Sequence, residues 1–317
     1  MRIASGLGGF GGAAPWGAVG LAFAAHSESG AHFRRPPPRW GVPVAQALDG
    51  AITAFTGAGV ETPRLDAEVL LAHVLEVDRA RLFTDAELSV AGTAVRPFQD
   101  AVRRRAVERE PVAYITGTRG FRRLELSVDH RALIPRPETE LLVEVGLGLP
   151  QGARVLDVGT GSGAVALALK DERPDLDLTG SELSKEALAL AQSNGQRLGL
   201  EVAWLHCDLL AGVPDEFDAV LCNPPYVAES ERATLAPEIL RHEPPSALFA
   251  GPDGLATIRT LLAQLAERAR VRLAALEVGA GQAQAVSELL HIAGFPTVRA
   301  ERDLAGIERV VVGERVG

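Results

Sequence analysis

Two stretches of this 317-residue sequence set reactive groups at spacings that chemistry can use. The first is the run Asp157-Val158-Gly159-Thr160-Gly161-Ser162-Gly163, where an apolar strand pattern (Val155 to Val158) breaks into glycines and a helical pattern starts at Ala164. Glycines at such a turn let the backbone bend tightly and approach a ligand without Cβ clashes. A dinucleotide fingerprint needs G-x-G-x-x-G, with the helix N-terminus facing a pyrophosphate. Here the third glycine comes one residue early, and Asp157 stands two residues before the first. A carboxylate at that place repels pyrophosphate and receives an ammonium, which favours S-adenosylmethionine as the ligand.

Further acids follow at the expected intervals. Glu182 ends the next apolar run about one β-α unit later, where a carboxylate accepts bonds from ribose hydroxyls. Asp208 and Leu209 end the third run, placed to accept from an adenine amine and to pack on its ring.

The second stretch is Asn223-Pro224-Pro225-Tyr226, directly after the apolar run Phe217 to Cys222. In open α/β sheets ligands sit beyond the carboxyl ends of the strands, so this tetrapeptide is expected to face the same ligand. Asn223 offers a side-chain oxygen, and the Pro224 carbonyl is a second acceptor on a backbone that proline stiffens. Two acceptors hold both protons of a planar NH₂ and aim its lone pair at a methyl donor, so orientation is the main catalytic need. Tyr226 is expected to wall the pocket.

The elements that must position these groups are legible as patterns. Apolar runs at residues 153–158, 176–181, 202–206, 219–222 and 271–278 alternate with helical patterns, notably 184–198 and 281–293. That alternation implies a mainly parallel sheet with helices on both faces. Two strands near 297–302 and 308–312, joined by a short loop, imply an antiparallel end. Upstream, residues 44–112 read as a small helical domain in which Leu65, Val69, Leu70, His73 and Val74 form one apolar face and Asp66 and Glu68 sit in a first turn. Alternation at Leu124, Leu126 and Val128 marks a β-hairpin linker over 113–136, and the ligand-binding domain runs from 137 to 317.

Residues 1–43 are rich in Gly, Ala and Pro without a sustained period. Arg2 and Ala22-Phe23-Ala24 have the look of a signal peptide, but glycines and Pro15 interrupt its apolar core. The segment reads instead as a disordered extension, or as a start placed too far upstream, with Val42 or Val44 as the true first codon.

Composition narrows the classes. The net charge of −9 argues against broad binding to nucleic acid. The run Arg103-Arg104-Arg105, with Arg122 and Arg123, reads first as a solvated face and second as a docking patch. No apolar stretch reaches the length of a membrane span. Cys207 and Cys222 have no zinc spacing and read as core residues of a protein from a reducing compartment, the cytoplasm.

Taken together, Arg64 to Glu68, Glu110 to Gly117, Ile134-Pro135-Arg136-Pro137-Glu138-Thr139-Glu140, the glycine turn, Asn223 to Tyr226, His242-Glu243-Pro244 and Asp303 to Gly306 resemble the HemK/PrmC family of release factor glutamine methyltransferases. The likeness covers nearly everything from Leu65 onward. It implies a helical domain that recognises release factors, a β-hairpin linker, and a seven-stranded Rossmann-like class I methyltransferase domain acting, as a monomer, on the glutamine of a Gly-Gly-Gln motif. Carried onto this sequence, Asp157, Gly159, Thr160, Gly161, Ser162, Gly163, Glu182, Asp208, Leu209 and Asn223 would bind S-adenosylmethionine. Asn223, Pro224, Pro225 and Tyr226 would bind the glutamine amide, with Phe121 as a pocket wall. The acid after the second strand is usually aspartate in that family, and Glu182 departs from it. Rival readings are glutamine methylation of a large-subunit ribosomal protein, adenine methylation in nucleic acid, a dehydrogenase and a non-catalytic binding module.

Overall fold

The computed structural model describes residues 41–214 and 216–315; the extension expected over 1–43 lies outside the described residues as far as Trp40. Its last three positions, Gly41–Pro43, form a short strand β1 that pairs antiparallel with β2 (Ser89–Ala91). A three-residue strand carries too little alternation to stand out in a sequence.

Helices at Val44–Gly57, Pro63–Leu75 and Val95–Arg103 pack on one another, and the first of them lies against this pair. In the first, Val44, Ala47, Leu48, Ala51 and Phe55 are buried at helical spacing. In the second, the buried face is Ala67, Leu70 and Leu71, while Leu65 and His73 are exposed. The face is thus rotated from the one expected. Asp66 and Glu68 are also buried, because guanidinium groups reach them: Arg105 Nε lies 2.6 Å from Asp66 and Arg64 Nε 2.9 Å from Glu68.

The antiparallel hairpin β3 (Thr118–Phe121) and β4 (Leu124–Ser127) follows. It is bound to the following helices by Arg122, whose Nη2 lies 2.7 Å from Glu172 and whose Nη1 pairs with Glu144.

The remaining strands are β5 (Arg154–Val158), β6 (Asp177–Glu182), β7 (Ala203–His206), β8 (Ala219–Cys222), β9 (Leu273–Glu277), β10 (Thr297–Arg302) and β11 (Glu308–Glu314). They form one sheet in the order β10-β11-β9-β8-β5-β6-β7. Pairings from β7 through β9 are parallel, and β11 runs antiparallel to both β9 and β10. This is the fold class expected: a seven-stranded, mainly parallel sheet with an antiparallel end. Two apolar clusters cover it, one built on Leu142, Leu167 and Leu169, the other on Ile258, Leu261 and Phe295. The chain leaves β5 towards β6 and β7, then returns to place β8 on its other side. The crevice between the carboxyl ends of β5 and β8 is therefore the switch point at which such sheets take ligands.

Candidate functional site

At the end of β5 the chain turns through Gly159, Gly161 and Gly163 with φ of +69°, +58° and +85°. Residues with a Cβ rarely adopt that region. Gly163 is also pressed close to the following helix, since a Cβ there would lie 2.9 Å from Leu167 Cδ1. The end of β6 holds the turn in place. The amides of Gly159 and Thr160 both donate to the Ser181 carbonyl at 2.9 Å. Glu182 braces it further, accepting from the Gly161 amide at 3.0 Å and the Ser184 amide at 2.9 Å.

Asp157 is buried beneath the turn and accepts from Thr160 Oγ1 at 2.6 Å and the Ala166 amide at 3.2 Å. Burial pushes its carboxyl up to about 6, with the two hydrogen bonds opposing. After β7, Asp208 is exposed and Leu209 takes a left-handed backbone with φ +49°. For a residue with a Cβ that conformation costs on the order of 1 kcal/mol and is tolerated where the surroundings enforce it.

One cavity of about 460 Å³ joins these groups. Its wall includes Asp157, Gly159, Thr160, Gly161, Ser162, Glu182, Asp208 and Leu209, together with Asn223, Pro224 and Pro225. Its charged lining residues are Asp157, Glu182, Asp208 and Arg131, three acids to one base. Cys207 and Cys222, read from the sequence as core residues, border it too. Both thiols are raised by burial, which keeps them protonated and unreactive.

Gly163, Phe121 and Tyr226 are not on that wall. Gly163 closes the turn behind it. Phe121 is 2% exposed and belongs to the core under the β3–β4 hairpin, because Arg122 draws the hairpin tip onto the helices instead of over the cavity. Tyr226 turns back towards β9: its hydroxyl donates to Glu277 Oε1 at 3.3 Å, and its carbonyl accepts from Gln282 Nε2 at 2.9 Å.

Pattern reading passed over two site residues. Asn223 Nδ2 donates to Thr139 Oγ1 at 3.1 Å, and Thr139 Oγ1 donates to Glu277 Oε2 at 2.6 Å. Thr139 stands inside the Ile-Pro-Arg-Pro-Glu-Thr-Glu run, so its motif was visible although its partner was not. Glu277 is 1% exposed, and burial pushes its carboxyl up to about 7 against the two hydrogen bonds it accepts. The same run reaches the third wall, where Arg136 Nη2 lies 2.6 Å from the buried Glu243 and the next residue, Pro244, lines the cavity.

The arginine run is engaged within the protein. Arg103 pairs with Asp100 and Glu108, Arg104 with Glu110, Arg105 with Asp66 and Glu238, and Arg123 with Asp171. A docking patch for acidic partners would need those charges free.

Two family models match the chain, one described as the PrmC N-terminal domain over residues 46–117 and one as a methyltransferase small domain over 137–251. Among the similar curated proteins, the release factor glutamine methyltransferase of Caulobacter vibrioides is 40% identical over 277 residues, covering 85% of this chain and 96% of that one. That of Deinococcus radiodurans is 40% identical over 275 residues, covering 85% and 98%. The enzyme of Xylella fastidiosa strain Temecula1 is 41% identical over 280 residues, covering 85% and 100%. The chain belongs to the release factor glutamine methyltransferase family. For a member of that family, the acid-lined cavity and the Asn223-Pro224-Pro225 wall at one switch point are the features on which a reaction can be built.

Proposed function

We propose that this protein transfers a methyl group from S-adenosylmethionine to the side-chain amide nitrogen of a glutamine, that of the Gly-Gly-Gln motif in peptide chain release factors. The observation that carries the reading is one cavity lined both by an acid-bearing glycine turn and by Asn223-Pro224-Pro225. The donor set suits the cofactor. Three carboxylates and few bases favour a cationic ligand rich in hydroxyl and amine donors, and disfavour a pyrophosphate.

S-adenosylmethionine supplies an electrophilic methyl group on a sulfonium that departs neutral. Glu182 would accept from ribose hydroxyls, Asp208 from the adenine amine, and Leu209 would pack on the base. Asp157, under the glycine turn, would take the ammonium. Asn223 Oδ1 and the Pro224 carbonyl accept the two amide protons of the glutamine and hold its nitrogen lone pair towards the methyl carbon. An amide nitrogen is a weak nucleophile, so fixing that near-attack geometry is the main source of rate. With the methyl group supplied by the bound cofactor, the amide would give up one of the two protons held by Asn223 and Pro224 to solvent. The helical residues 44–112 would recognise the release factor, with the β-hairpin of 113–136 as linker, in a cytoplasmic monomer.

Incubation with labelled S-adenosylmethionine and unmethylated release factor tests this, beside a release factor whose Gly-Gly-Gln glutamine is changed to alanine. Label on the unaltered factor alone supports the reading. Label on neither, with transfer to ribosomal protein or nucleic acid, overturns it.

A further inference from the structure

The hydrogen bond that Asn223 makes to the protein has a direction, and that direction is imposed from outside the Asn-Pro-Pro-Tyr segment. A hydroxyl has one proton to give and two lone pairs to offer. Thr139 commits its proton to Glu277 Oε2 at 2.6 Å, so what it presents to Asn223 is a lone pair. The NH₂ end of the asparagine amide complements a lone pair and the Oδ1 end repels it. The observed contact, Nδ2 to Oγ1 at 3.1 Å, is the complementary one. Glu277 in turn receives the Tyr226 hydroxyl on its other oxygen, so both of its oxygens act as acceptors.

We infer that Glu277 and Thr139 are positioning residues of the transfer reaction: the buried carboxylate, acting through the threonine hydroxyl, selects the Asn223 rotamer that leaves Oδ1 for the substrate amide. Inverted, Asn223 would offer NH₂ to the substrate's own NH₂, donor against donor, and the substrate nitrogen would lose its hold. This rests on the proposed reading of an amide nitrogen as the methyl acceptor. It also explains why a carboxylate is kept at the end of β9 with 1% exposure, where an uncompensated charge is costly.

The relay has a titratable end. Ionised Glu277 can only accept, whereas protonated Glu277 can donate to Thr139, free the threonine proton for Asn223, and so favour the inverted amide. The groups that face Glu277 are Tyr226 from the segment after β8, Glu138 beside Thr139, Arg309 from β11 and Cys222 at the end of β8. Glu138 favours the protonated form and Arg309 the ionised one.

Asparagine occurs at two positions only, Asn194 and Asn223. Protein labelled with ¹⁵N in asparagine side chains therefore gives two NH₂ pairs, and Asn223→Ala identifies one of them by removing it. Thr139→Val is expected to shift the Asn223 pair and speed its exchange with solvent, and Thr139→Ser to restore both. Transfer to release factor by Thr139→Val should fall about tenfold in kcat, the worth of one oriented hydrogen bond, with an unchanged Kd for S-adenosylmethionine. Wild-type activity should decline as pH drops through about 7, the region to which burial moves Glu277. Glu277→Gln, which keeps an acceptor oxygen without the titration, should lack that decline.

An Asn223 pair unmoved by Thr139→Val overturns the inference, and that spectrum needs no substrate. A wild type that leaves release factor unlabelled overturns the proposed function instead. Should Thr139→Val not fold, the pH comparison decides, and an acid limb shared by wild type and Glu277→Gln overturns the relay.

Discussion

Gly254 lies directly against the backbone of Tyr226: a Cβ at Gly254 would overlap the Tyr226 carbonyl oxygen and come within 2.9 Å of the carbonyl carbon. The glycine has φ +74°, so a side chain is excluded by conformation as well as by space. The same carbonyl accepts from Gln282 Nε2 at 2.9 Å, which leaves it no direction in which to yield. Gly254→Ala is expected to destabilise the protein by about 2 kcal/mol or more. It should also lower methyl transfer, because the displaced Tyr226 is continuous with Asn223. Urea denaturation alongside kcat checks this, and a variant of wild-type stability would show that the segment is more pliant than the packing indicates.

Glu182 does two things at once, and its removal should show both. Its oxygens accept the Gly161 and Ser184 amides at 3.0 Å and 2.9 Å while facing the cavity. Hydrogen bonds to a carboxylate contribute roughly 1.5–3 kcal/mol each, so Glu182→Ala is expected to weaken S-adenosylmethionine binding about tenfold to a hundredfold. Glu182→Asp keeps the charge but shortens the reach, and should fall between. Calorimetric titration of the two variants distinguishes a loss of ligand contact from mere loosening of the turn: loosening alone would make Asp as poor as Ala.

Asn223→Ala separates binding from chemistry. The glycine turn, Glu182 and Asp208 remain, so the Kd for S-adenosylmethionine should change little. The orienting acceptor is gone, and kcat should fall by about 10²-fold or more, as when a preorganised polar group is removed from an active site. A variant that loses cofactor affinity but transfers normally once saturated would remove Asn223 from the reaction.

Most of the sheet was legible because it is buried on both faces. Strands β5 and β8 are short, largely apolar runs closed by the glycine turn and by Asn223-Pro224, and the structure places them and β6 within a residue or two of the apolar runs. The glycine turn and Asn223 to Pro225 were legible for a different reason: once the βα order is known, strand ends are where ligands go. The pairing of Thr139 with Glu277 was not, since 138 residues separate them and no period relates a turn of the chain to a distant strand. Phe121 was misplaced on the cavity wall because a hairpin's alternation fixes which residues share a face, and says nothing of what that face lies against. The rotated face of the Pro63–Leu75 helix has the same origin. Asp66 and Glu68 look like surface acids until Arg105 and Arg64 are found beside them.

Two buried carboxyls set a pH dependence of stability. Glu277 has its folded value at about 7 and Asp157 at about 6, both above the usual carboxylate range because burial disfavours the charge. A raised acid binds more protons folded than unfolded, so its contribution is fully present below the unfolded value, near pH 4–5, and is lost as pH rises through the folded one. Wild type should therefore lose stability relative to Glu277→Gln between about pH 5 and 8, by up to about 3 kcal/mol. Urea midpoints of the pair across that range check the sign, and a constant gap would mean that Glu277 ionises normally.

Arg105 links the helical region to the segment that follows Asn223 to Tyr226. Its Nε lies 2.6 Å from Asp66 in the Pro63–Leu75 helix, and its Nη1 lies 2.9 Å from Glu238 in the short helix Pro237–His242. Arg109 adds a second contact to Glu238 at 2.6 Å, and His242 Nε2 lies 2.8 Å from the Glu108 carbonyl. Removing one partner of a buried ion cluster leaves the others charged and unsolvated, which costs more than the pair contributes. Arg105→Ala is thus expected to destabilise by about 3–5 kcal/mol, and further substitution of Asp66→Asn should recover part of it by removing the stranded charge, whereas Glu238 keeps Arg109 as its partner. Because neither Arg105 nor Asp66 lines the cavity, the folded double variant should bind S-adenosylmethionine with wild-type affinity. Its KM for release factor is the informative quantity. A raised KM at unchanged kcat would mean that this cluster sets how the helical region presents the protein substrate, whereas an unchanged KM would confine it to holding the two parts together.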